Sequence, residues 1–370
     1  MQSADERYML RALQLAKRGY GLTSPNPMVG AVLVRNHSIV GQGYHHYAGS
    51  DHAEIIAMNQ AGNKAKGATL YITLEPCCHY GKTPPCTDRI IRAGITRVVA
   101  ASIDPNPIIF GKGISRLKQA GIKVEVGLKE SESKKLNEPF FKYIRTDLPF
   151  GILKLGMSLD GKIATSTGES RWITSTQSRE YVHHLRAGVD AILVGENTVI
   201  QDDPELTVRI PKYQGKQPTR IIVCNRGEIP LSARIFKTSI AKTILVMPNR
   251  IPQYRQKKYR NAGIPLLIIP GKNNRVDIKK LFFTLGQEQL LSVLIEGGSG
   301  IAWSCLSAGV IDKLIFFLAP KLIGGKEAPS TIGGVGIKKL NQAVQLNEVQ
   351  VERIGEDIKI EAYLKARPKF

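Results

Sequence analysis

The chain has 370 residues, and its 42% of hydrophobic residues provide enough apolar material for two ordinary domain cores. No run of about 18 apolar residues occurs, so no membrane-spanning helix is expected. The first residues contain no basic stretch followed by an apolar one, so no signal peptide is expected. Three of the five cysteines lie between positions 77 and 86, which does not resemble a disulfide framework and predicts a cytoplasmic protein.

The formal net charge of +21 comes from 52 basic and 31 acidic residues and is spread over both halves of the chain. Such an excess permits nucleic-acid binding. It also suits an anionic small substrate such as a phosphate ester, which needs only a few cationic groups. Much of it is equally consistent with a solvated surface. The charge alone therefore leaves all three interpretations open.

The first 147 residues show apolar runs that alternate with helical patterns. Residues 4–18 place Met9, Leu13 and Ala16 on one helical face, with Ser3 as a suitable N-cap. This alternation predicts a three-layer α/β domain with parallel strand pairing. The predicted strands are 29–34, 69–74, 97–101 and 123–126, and the predicted helices between them are 52–61, 86–93 and 113–120.

Residues 127–149 predict a helix and a connector, and a second α/β pattern begins at Phe150, so a domain boundary is expected near residue 147. The second half has no G-x-G-x-x-G sequence after a strand, so a Rossmann dinucleotide site is not supported. By itself this half predicts an α/β domain whose ligand is unknown. Its predicted strands are 152–155, 191–194, 220–223, 243–246, 266–269, 292–295 and 313–318, with helices at 175–187 and 300–308.

A His-x-Glu sequence followed by two cysteines predicts a catalytic zinc site. His52, Cys77 and Cys86 supply one imidazole and two thiolates, and a catalytic zinc keeps its fourth position for water. The metal lowers the pKa of that water to about 7. Glu54 lies two residues beyond His52, where it suits proton transfer better than ligation. The H-x-E…P-C…C pattern is typical of zinc deaminases, in which hydroxide attacks a ring carbon that bears an amino group.

Two other interpretations of this motif are a structural zinc and a chance grouping of a histidine with buried thiols. A structural zinc usually has four protein ligands, and Cys78 or His79 could supply the fourth. Both His52 and Cys86 fall at predicted helix starts. The partial positive charge and free N–H groups of a helix N-terminus favour a thiolate and a hydroxide there.

The first half resembles the pyrimidine deaminases of riboflavin biosynthesis. The second ligand cysteine is not at position 80, where P-C-x-x-C would place it, but at Cys86, as in the longer loop of that family. Residues 24–32 and 104–107 resemble further blocks of the family. The resemblance implies a cytidine-deaminase-like fold, with the zinc ligands named above and Glu54 as the proton shuttle.

The same resemblance implies three substrate-binding residues. Asn26 matches the substrate-binding asparagine of the family, whose amide can pair with the mixed donor and acceptor edge of a ring. His79 and Lys82 lie in the inserted loop, where positive groups can hold a phosphate. Cys78 is expected to pack without ligating the metal, and His45 is expected to reach the pocket.

The second half resembles the reductases of riboflavin biosynthesis, which have a dihydrofolate-reductase-like α/β fold. The glycine-rich turn 295–300 matches a late block of that family, and such a turn before a helix offers backbone N–H groups to a phosphate. The chain departs from the family at Gly156, where alanine is common. The resemblance covers essentially the whole chain and implies two domains, 1–147 and 148–370. The other matching blocks are 154–164, 168–174, 194–199, 202–204 and 206–209.

The resemblance implies Zn²⁺ as the cofactor of the first domain and NADPH as that of the second. Arg186 and Arg209 suit the substrate phosphate, because a guanidinium forms paired charge-assisted hydrogen bonds. Lys154, Asp202 and Glu296 are expected nearest the reacting sugar. The residues expected to bind NADPH are Gly156, Trp172, Thr198, Asp202, Gly298, Ser299, Gly300, Ile301, Ala302, Trp303 and Ser304. Those expected to bind the ribosylamino substrate are Lys154, Ser170, Arg186, Leu206, Arg209 and Glu296.

The expected function is therefore two consecutive reactions on phosphorylated pyrimidines. The first is zinc-dependent deamination of 2,5-diamino-6-ribosylamino-4(3H)-pyrimidinone 5′-phosphate. The second is NADPH-dependent reduction of the ribosyl group of 5-amino-6-(5-phosphoribosylamino)uracil. No nucleic-acid or membrane partner is expected, and a homo-oligomer is allowed. The alternatives are a nucleic-acid deaminase such as a tRNA adenosine deaminase, against which the long ligand loop and the second half argue, and a non-catalytic zinc-stabilised binding module.

Overall fold

The computed structural model describes residues 3–79, 84–237 and 239–365. The chain divides into two compact units, residues 1–147 and residues 148–370. Within the described residues, no helix is both long and apolar enough to cross a membrane.

The first unit is built on a five-stranded sheet in the order β2-β1-β3-β4-β5. Along β1, Ala31 and Leu33 pack against α2, α3 and α4, whereas Val32 and Val34 pack against α1, so helices cover both faces. This is the expected three-layer arrangement. The elements are α1 (Ala4–Ala16), β1 (Gly30–Arg35), β2 (Ser38–Tyr44), α2 (Ala53–Ala61), β3 (Thr69–Ile72), α3 (Cys86–Arg92), β4 (Arg97–Ala100), α4 (Lys112–Gln119), β5 (Lys123–Val126), α5 (Glu130–Leu136) and α6 (Glu138–Thr146).

The expectation of parallel pairing is correct for β3, β4 and β5 and wrong for β1, which is antiparallel to both β2 and β3. The sequence pattern also missed β2. Its two-residue turn at Asn36 and His37 has positive φ at both positions, and so short a connection joins only antiparallel strands. Gly41 and Gly43 weaken the strand pattern in the sequence. The packing of α2 nevertheless requires them, because a Cβ on either would lie within 2.5 Å of a backbone oxygen of that helix.

The second unit contains a nine-stranded sheet in the order β10-β9-β8-β7-β11-β6-β12-β14-β13. Seven strands, from β10 to β12 in this order, are parallel, and the last two form an antiparallel extension. The elements are β6 (Phe150–Ser158), α7 (Thr176–Ala187), β7 (Ala191–Gly195), α8 (Glu196–Asp202), β8 (Thr219–Val223), β9 (Thr243–Met247), α9 (Gln253–Asn261), β10 (Leu266–Ile268), α10 (Ile278–Gln287), β11 (Ser292–Ile295), α11 (Ser299–Ser307), β12 (Lys313–Ala319), β13 (Leu346–Ile354) and β14 (Asp357–Leu364).

Two hydrophobic clusters cover opposite faces of this sheet. One contains residues of α10 and α11, and the other contains Val199 of α8 and Tyr259 of α9. Because the seven parallel strands end at the same edge, that edge is where an open α/β sheet binds its ligands. The sequence pattern missed α8, α9, α10, β13 and β14. Helix α9 carries four basic side chains in nine residues, and all of β13 but Ile354 is exposed, so neither shows the expected periodicity.

Candidate active sites

His52, Cys77 and Cys86 come together in the first unit, with their ligand atoms all within 4.8 Å of one another. His52 Nδ1 lies 3.1 Å from the Cys86 sulfur and 3.7 Å from the Cys77 sulfur. Zinc bonds of about 2.0–2.3 Å in a tetrahedron place ligand atoms roughly 3.3–3.8 Å apart. The 3.7 Å separation lies inside this window and the 3.1 Å separation lies about 0.2 Å below it, so one nitrogen and two sulfurs fit a three-ligand zinc site after a small adjustment. Cys78 is not part of this group.

Two helix starts hold these ligands in place. His52 is the N-cap of α2, and Cys86 is the first residue of α3. The Cys86 backbone N–H donates to the Cys77 sulfur at 3.4 Å, so the start of α3 stabilises negative charge on Cys77. The prediction that both metal-bearing segments begin helices is confirmed.

The protein groups around Cys77 by themselves favour a thiolate. Hydrogen bonding from the Cys86 side chain, helped by His52, lowers the pKa of Cys77 to about 4. The same contact with Cys77 raises the pKa of His52 to about 9. A bound cation takes the place of that proton, because a metal-ligating imidazole must be neutral.

Glu54 lies in the first turn of α2 and is almost completely buried. Burial raises the pKa of its carboxyl group above the ordinary value, although the neighbouring His52 opposes the shift. A carboxyl group tuned upward in this way suits proton transfer near neutral pH. Glu54 lines the same cavity as His52 and Cys77.

A cavity of about 340 Å³ lies beside the ligand group and contains the predicted Asn26 and His79 together with Glu54. Lys82 lies outside the described residues. His45, expected to reach the pocket, is buried in its wall. Its Nδ1 lies 3.2 Å from the Asp51 carbonyl oxygen and its Nε2 lies 3.0 Å from Asn26 Nδ2.

These contacts set the orientation of Asn26. The Asp51 carbonyl can only accept, so His45 carries its proton on Nδ1 and its Nε2 accepts from the Asn26 amide. Burial lowers the pKa of His45, in agreement with a neutral ring. The Asn26 amide oxygen then remains to accept a hydrogen bond from a ligand in the cavity.

Sequence reasoning missed Asp104 and Asn106 as wall residues of this cavity. They lie in the Asp-Pro-Asn-Pro block, which was noted only as a family resemblance. Asp104 is buried, and burial raises its pKa to about 6. Its Oδ1 accepts the Asn106 backbone N–H at 2.8 Å, which fixes the turn. Two turn-forming residues flanked by prolines directly after a buried strand are a signal that could have identified this loop.

A second cavity, of about 690 Å³, lies in the second unit. It brings together predicted residues from β6, α7 and α8 and from the loops that follow β6, α8 and β11. Sequence reasoning missed His183, Arg179 and Arg234 among its walls. The predicted residues that line it are Lys154, Gly156, Ser170, Trp172, Arg186, Thr198, Asp202, Leu206, Arg209 and Glu296.

Glu296 is the centre of a buried charge group in this cavity. Lys154 Nζ lies 3.0 Å from one carboxylate oxygen, and Arg186 donates to both oxygens at 2.7 and 3.0 Å. Burial alone would raise the pKa of Glu296, but the charges of Arg186 and Lys154 outweigh burial and lower it to about 2. The group therefore keeps a carboxylate and one net positive charge at the cavity wall.

The two arginines expected to hold a phosphate differ in accessibility. Arg186 is engaged by Glu296 and by the Thr207 carbonyl, at 3.1 Å. The Arg209 side chain is 52% exposed, and its closest carboxylate is Glu205 at 3.5 Å. Arg209 is therefore the more accessible cation for a phosphate, while Arg186 holds Glu296 in position.

Asp202 and Trp172 lie on the more open side of the cavity. Ser170 Oγ donates to Asp202 at 3.0 Å, so a predicted substrate residue and a predicted cofactor residue are in contact. Trp172 is 62% exposed, and the Arg179 guanidinium lies 4.4 Å from its ring centroid. Leu206 has a φ of 51°, a backbone conformation that bulky residues adopt mainly at functional sites.

The glycine-rich turn after β11 leads directly into α11, with Gly298 as its N-cap. The Gly298 N–H donates to Thr198 Oγ1 at 3.2 Å, which joins the turn to α8. A Cβ at Gly300 would meet nothing within 4 Å, so the first turn of α11 is open to a ligand. Its free N–H groups fit the diphosphate of a dinucleotide. Ala302 differs from the other predicted residues, because its side chain is fully buried in the core.

Gly156 has a local explanation in this chain. A Cβ at this position would lie 3.0 Å from Thr174 Cγ2. The alanine that is common in the family would therefore need Thr174 to move by a few tenths of an ångström.

Comparison with known proteins matches the two halves of the chain to two different families. Residues 149–360 match the family described as RibD C-terminal domain, and residues 2–102 match the cytidine and deoxycytidylate deaminase zinc-binding region. The riboflavin biosynthesis protein RibD of Aquifex aeolicus is 47% identical over 360 residues, which cover 97% of this chain and 98% of that protein. That of Escherichia coli K12 is 43% identical over 369 residues, with 96% and 98% covered.

Solved structures agree with the sequence relatives. Acinetobacter baumannii RibD, form 1, has a TM-score of 0.86 and 37% identity, with 98% of this chain and 99% of that chain covered. A diaminohydroxyphosphoribosylaminopyrimidine deaminase/5-amino-6-(5-phosphoribosylamino)uracil reductase from Thermotoga maritima has a TM-score of 0.85 and 35% identity, again with 98% of this chain and 99% of that chain covered. The chain thus belongs to the RibD family of bifunctional riboflavin biosynthesis enzymes, and it combines a zinc-binding deaminase domain with an NADPH-dependent reductase domain.

Proposed function

We propose that residues 1–147 deaminate 2,5-diamino-6-ribosylamino-4(3H)-pyrimidinone 5′-phosphate and that residues 148–370 reduce the ribosyl group of the deaminated product. The observation that carries the proposal is the combination of two sites in one chain. One is a His, Cys, Cys group beside a buried Glu54, and the other is a buried Lys154–Glu296–Arg186 group. The Thermotoga maritima relative is named for both activities.

In the deaminase cavity, each side chain has a distinct task. Zinc, when bound, makes hydroxide available near neutral pH. Glu54 takes one proton of the attacking water and delivers it to the ring nitrogen. It then moves the second proton of that water to the amino group, which leaves as ammonia while the carbonyl forms, and its raised pKa favours both transfers. The Asn26 amide oxygen accepts from the pyrimidine edge, and His45 holds that amide in place. His79, together with Lys82, binds the substrate phosphate.

In the reductase cavity, a bound NADPH would supply the hydride for C1′ of the ribose. Lys154 and Glu296 lie at the cavity wall as a charged pair. We expect them, together with Asp202, to lie nearest the reacting sugar. Arg209 binds the phosphate with its accessible guanidinium. Thr198, Asp202 and the turn at 298–301 bind the cofactor, with Trp172 over the open side.

We place the enzyme in the cytoplasm with small phosphorylated pyrimidines as its partners and with no nucleic-acid or membrane partner. The rival assignment, a nucleic-acid deaminase, has no use for the second domain. An ultraviolet spectrum of the purified protein separates the two, because co-purifying nucleic acid favours the rival.

The reductase-family match spans residues 149–360, which is 57% of the 370-residue chain. A nucleic-acid deaminase leaves that share of the chain without a task, whereas the bifunctional enzyme uses it for the second reaction. The positive charge that permits nucleic-acid binding is explained equally well by two phosphorylated substrates and a phosphorylated cofactor.

The test is incubation of the purified protein with the diaminopyrimidine ribosyl phosphate, with and without NADPH, followed by mass analysis. Without NADPH we expect only the product in which oxygen has replaced one amino group. With NADPH we expect that product to gain two hydrogen atoms. Glu54→Gln should keep its zinc and its fold while deamination falls roughly 10²–10⁴-fold or more. Normal turnover by this variant would rule out the proposed proton shuttle.

A further inference from the structure

The carboxyl edge of the second sheet extends beyond the glycine-rich turn. The strand order places β11, β7 and β8 side by side, and all three are parallel. The glycine turn follows β11, α8 follows β7, and the segment Cys224–Glu228 follows β8. Neighbouring strands are about 4.8 Å apart, so this segment lies roughly 10 Å along the edge from the turn that fits the diphosphate.

A buried carboxylate fixes the Cys224–Glu228 segment. Glu196, the first residue of α8, is 5% exposed. Its Oε1 accepts from the Cys224 thiol at 3.2 Å and from the Glu228 N–H at 2.7 Å, and its Oε2 accepts from the Arg226 N–H at 3.0 Å. The backbone that carries Arg226 is therefore held rigidly against the first turn of α8.

The Arg226 side chain is held over that same turn. Its Nη2 donates to Asn197 Oδ1 at 2.6 Å, and its Nε lies 2.9 Å from a carboxylate oxygen of Glu228. The guanidinium nevertheless remains half exposed, and so does Glu228. Arg226 Nε also lies 3.7 Å from the buried Glu196 carboxylate, and Glu228 has a second partner in Arg255 at 3.3 Å. A phosphate can therefore displace Glu228, which keeps Arg255 as its partner, while Arg226 stays anchored on Asn197.

The surroundings supply further positive charge. The side chain of Asn225 accepts the Val276 N–H at 2.9 Å, which holds the loop after β10 beside the segment. That loop presents the exposed side chains of Lys272 and Arg275. The loop beside Arg226 therefore also carries two exposed cationic side chains.

We propose that Arg226 binds the 2′-phosphate of NADPH and thereby sets the preference of the reductase domain for NADPH over NADH. The inference rests on the proposed placement of the cofactor diphosphate at the glycine turn. The adenosine ribose is attached directly to the diphosphate, and α8 leads from the glycine turn to Arg226. A phosphate monoester carries nearly two negative charges, whereas the 2′-hydroxyl of NADH carries none.

The test is calorimetric titration of the full-length, zinc-loaded protein with 2′,5′-ADP and with 5′-AMP, which differ only in the 2′-phosphate. Arg226→Gln keeps a side chain that can bond to Asn197 but removes the charge. Its affinity for 2′,5′-ADP should fall roughly ten- to hundred-fold, while its affinity for 5′-AMP stays unchanged. Arg226→Lys should lose less, because it keeps the charge but not the planar fork. Arg260→Gln, an exposed arginine on α9, is the matched control and should change neither affinity.

An equal loss for both ligands would show that Arg226 only maintains the fold of the segment and would overturn the proposal. An unchanged affinity for 2′,5′-ADP would overturn it as well, by assigning the phosphate to another group. If Arg226→Gln melts at a lower temperature than the wild type, the affinities of Arg226→Lys for 2′,5′-ADP and 5′-AMP are compared instead. Titration of the wild type with NADP⁺ and NAD⁺ distinguishes an error in the cofactor assignment from an error in the role of Arg226. No preference there refutes the NADPH assignment, whereas a preference that survives Arg226→Gln refutes only the role of Arg226.

Discussion

Cys77 and Cys78 are adjacent in the sequence but differ in their surroundings. The Cys77 sulfur accepts from the Cys86 N–H and belongs to the ligand group, while burial raises the pKa of Cys78 and leaves it a poor thiolate. We predict that Cys86→Ala loses zinc and that Cys78→Ser retains it. Metal analysis of the purified variants measures this directly, and the opposite result would reassign the second ligand to Cys78.

Glu296 should make the reductase domain sensitive to acid. Its folded pKa of about 2 lies below the ordinary value of 4.5, so the stability it contributes is complete above about pH 5 and is lost as the pH falls toward 2. Glu296→Gln leaves Arg186 and Lys154 without their carboxylate, and we expect it to cost about 3–5 kcal/mol at pH 7. The difference between wild type and variant should shrink as the pH falls from 5 to 2.

Tryptophan fluorescence during urea unfolding measures this effect in the reductase domain alone, because both tryptophans, Trp172 and Trp303, lie in it. Glu288→Gln is the control, since Glu288 is exposed on the same unit, and it should change stability by less than about 0.5 kcal/mol. A wild-type-to-variant difference that is the same at pH 7 and pH 3 would contradict the prediction.

At the scale of elements, a single carboxylate joins the loop after β4 to α4. Glu75 is buried and accepts three backbone N–H groups, those of Asp104 at 3.2 Å, Gly111 at 2.9 Å and Ile114 at 3.1 Å. The loop it holds forms part of the deaminase cavity through Asn106. The position of that wall therefore depends on a side chain that belongs to another segment.

We predict that Glu75→Gln loosens this loop, because an amide offers only one acceptor oxygen and each unsatisfied buried N–H costs about 1–3 kcal/mol. Hydrogen–deuterium exchange should increase in residues 104–117, and kcat/KM of deamination should fall while that of reduction stays unchanged. Glu132→Gln, an exposed position on α5, is the control. Unchanged exchange in residues 104–117 would show that the loop does not depend on Glu75.

For the whole molecule, the division into two units predicts that the two activities are separable. Glu54→Gln should still oxidise NADPH when it is given the already deaminated substrate. Arg209→Ala should deaminate normally, while its KM for reduction rises roughly ten- to hundred-fold because it loses a charge-assisted contact to the phosphate. Steady-state kinetics of each half-reaction measure both effects. Loss of both activities in either variant would indicate one composite site.

The fold could be predicted well where the signal for an element lies in its own local sequence. Met9, Leu13 and Ala16 form a buried helical face, and the Ser3 capping box begins α1 as its local sequence suggests. The predicted strand 123–126 matches β5 residue for residue. Elements whose signal depends on a neighbour were missed. Strand β2 is one of them, because its glycines are required only by the close approach of α2.

The sequence by itself predicted the chemistry of the first domain, because the H-x-E…P-C…C pattern is defined by residue type and spacing, whereas the chemistry of the second domain was predicted only from its family resemblance. It also determined the α/β class, since apolar periodicity is a local property. Only the tertiary structure decided that β1 is antiparallel to β3, that His45 orients Asn26, and that Glu296 engages Arg186. These contacts join residues far apart in the chain, and hydrogen bonds and burial, which set pKa and orientation, exist only once folding has brought those residues together.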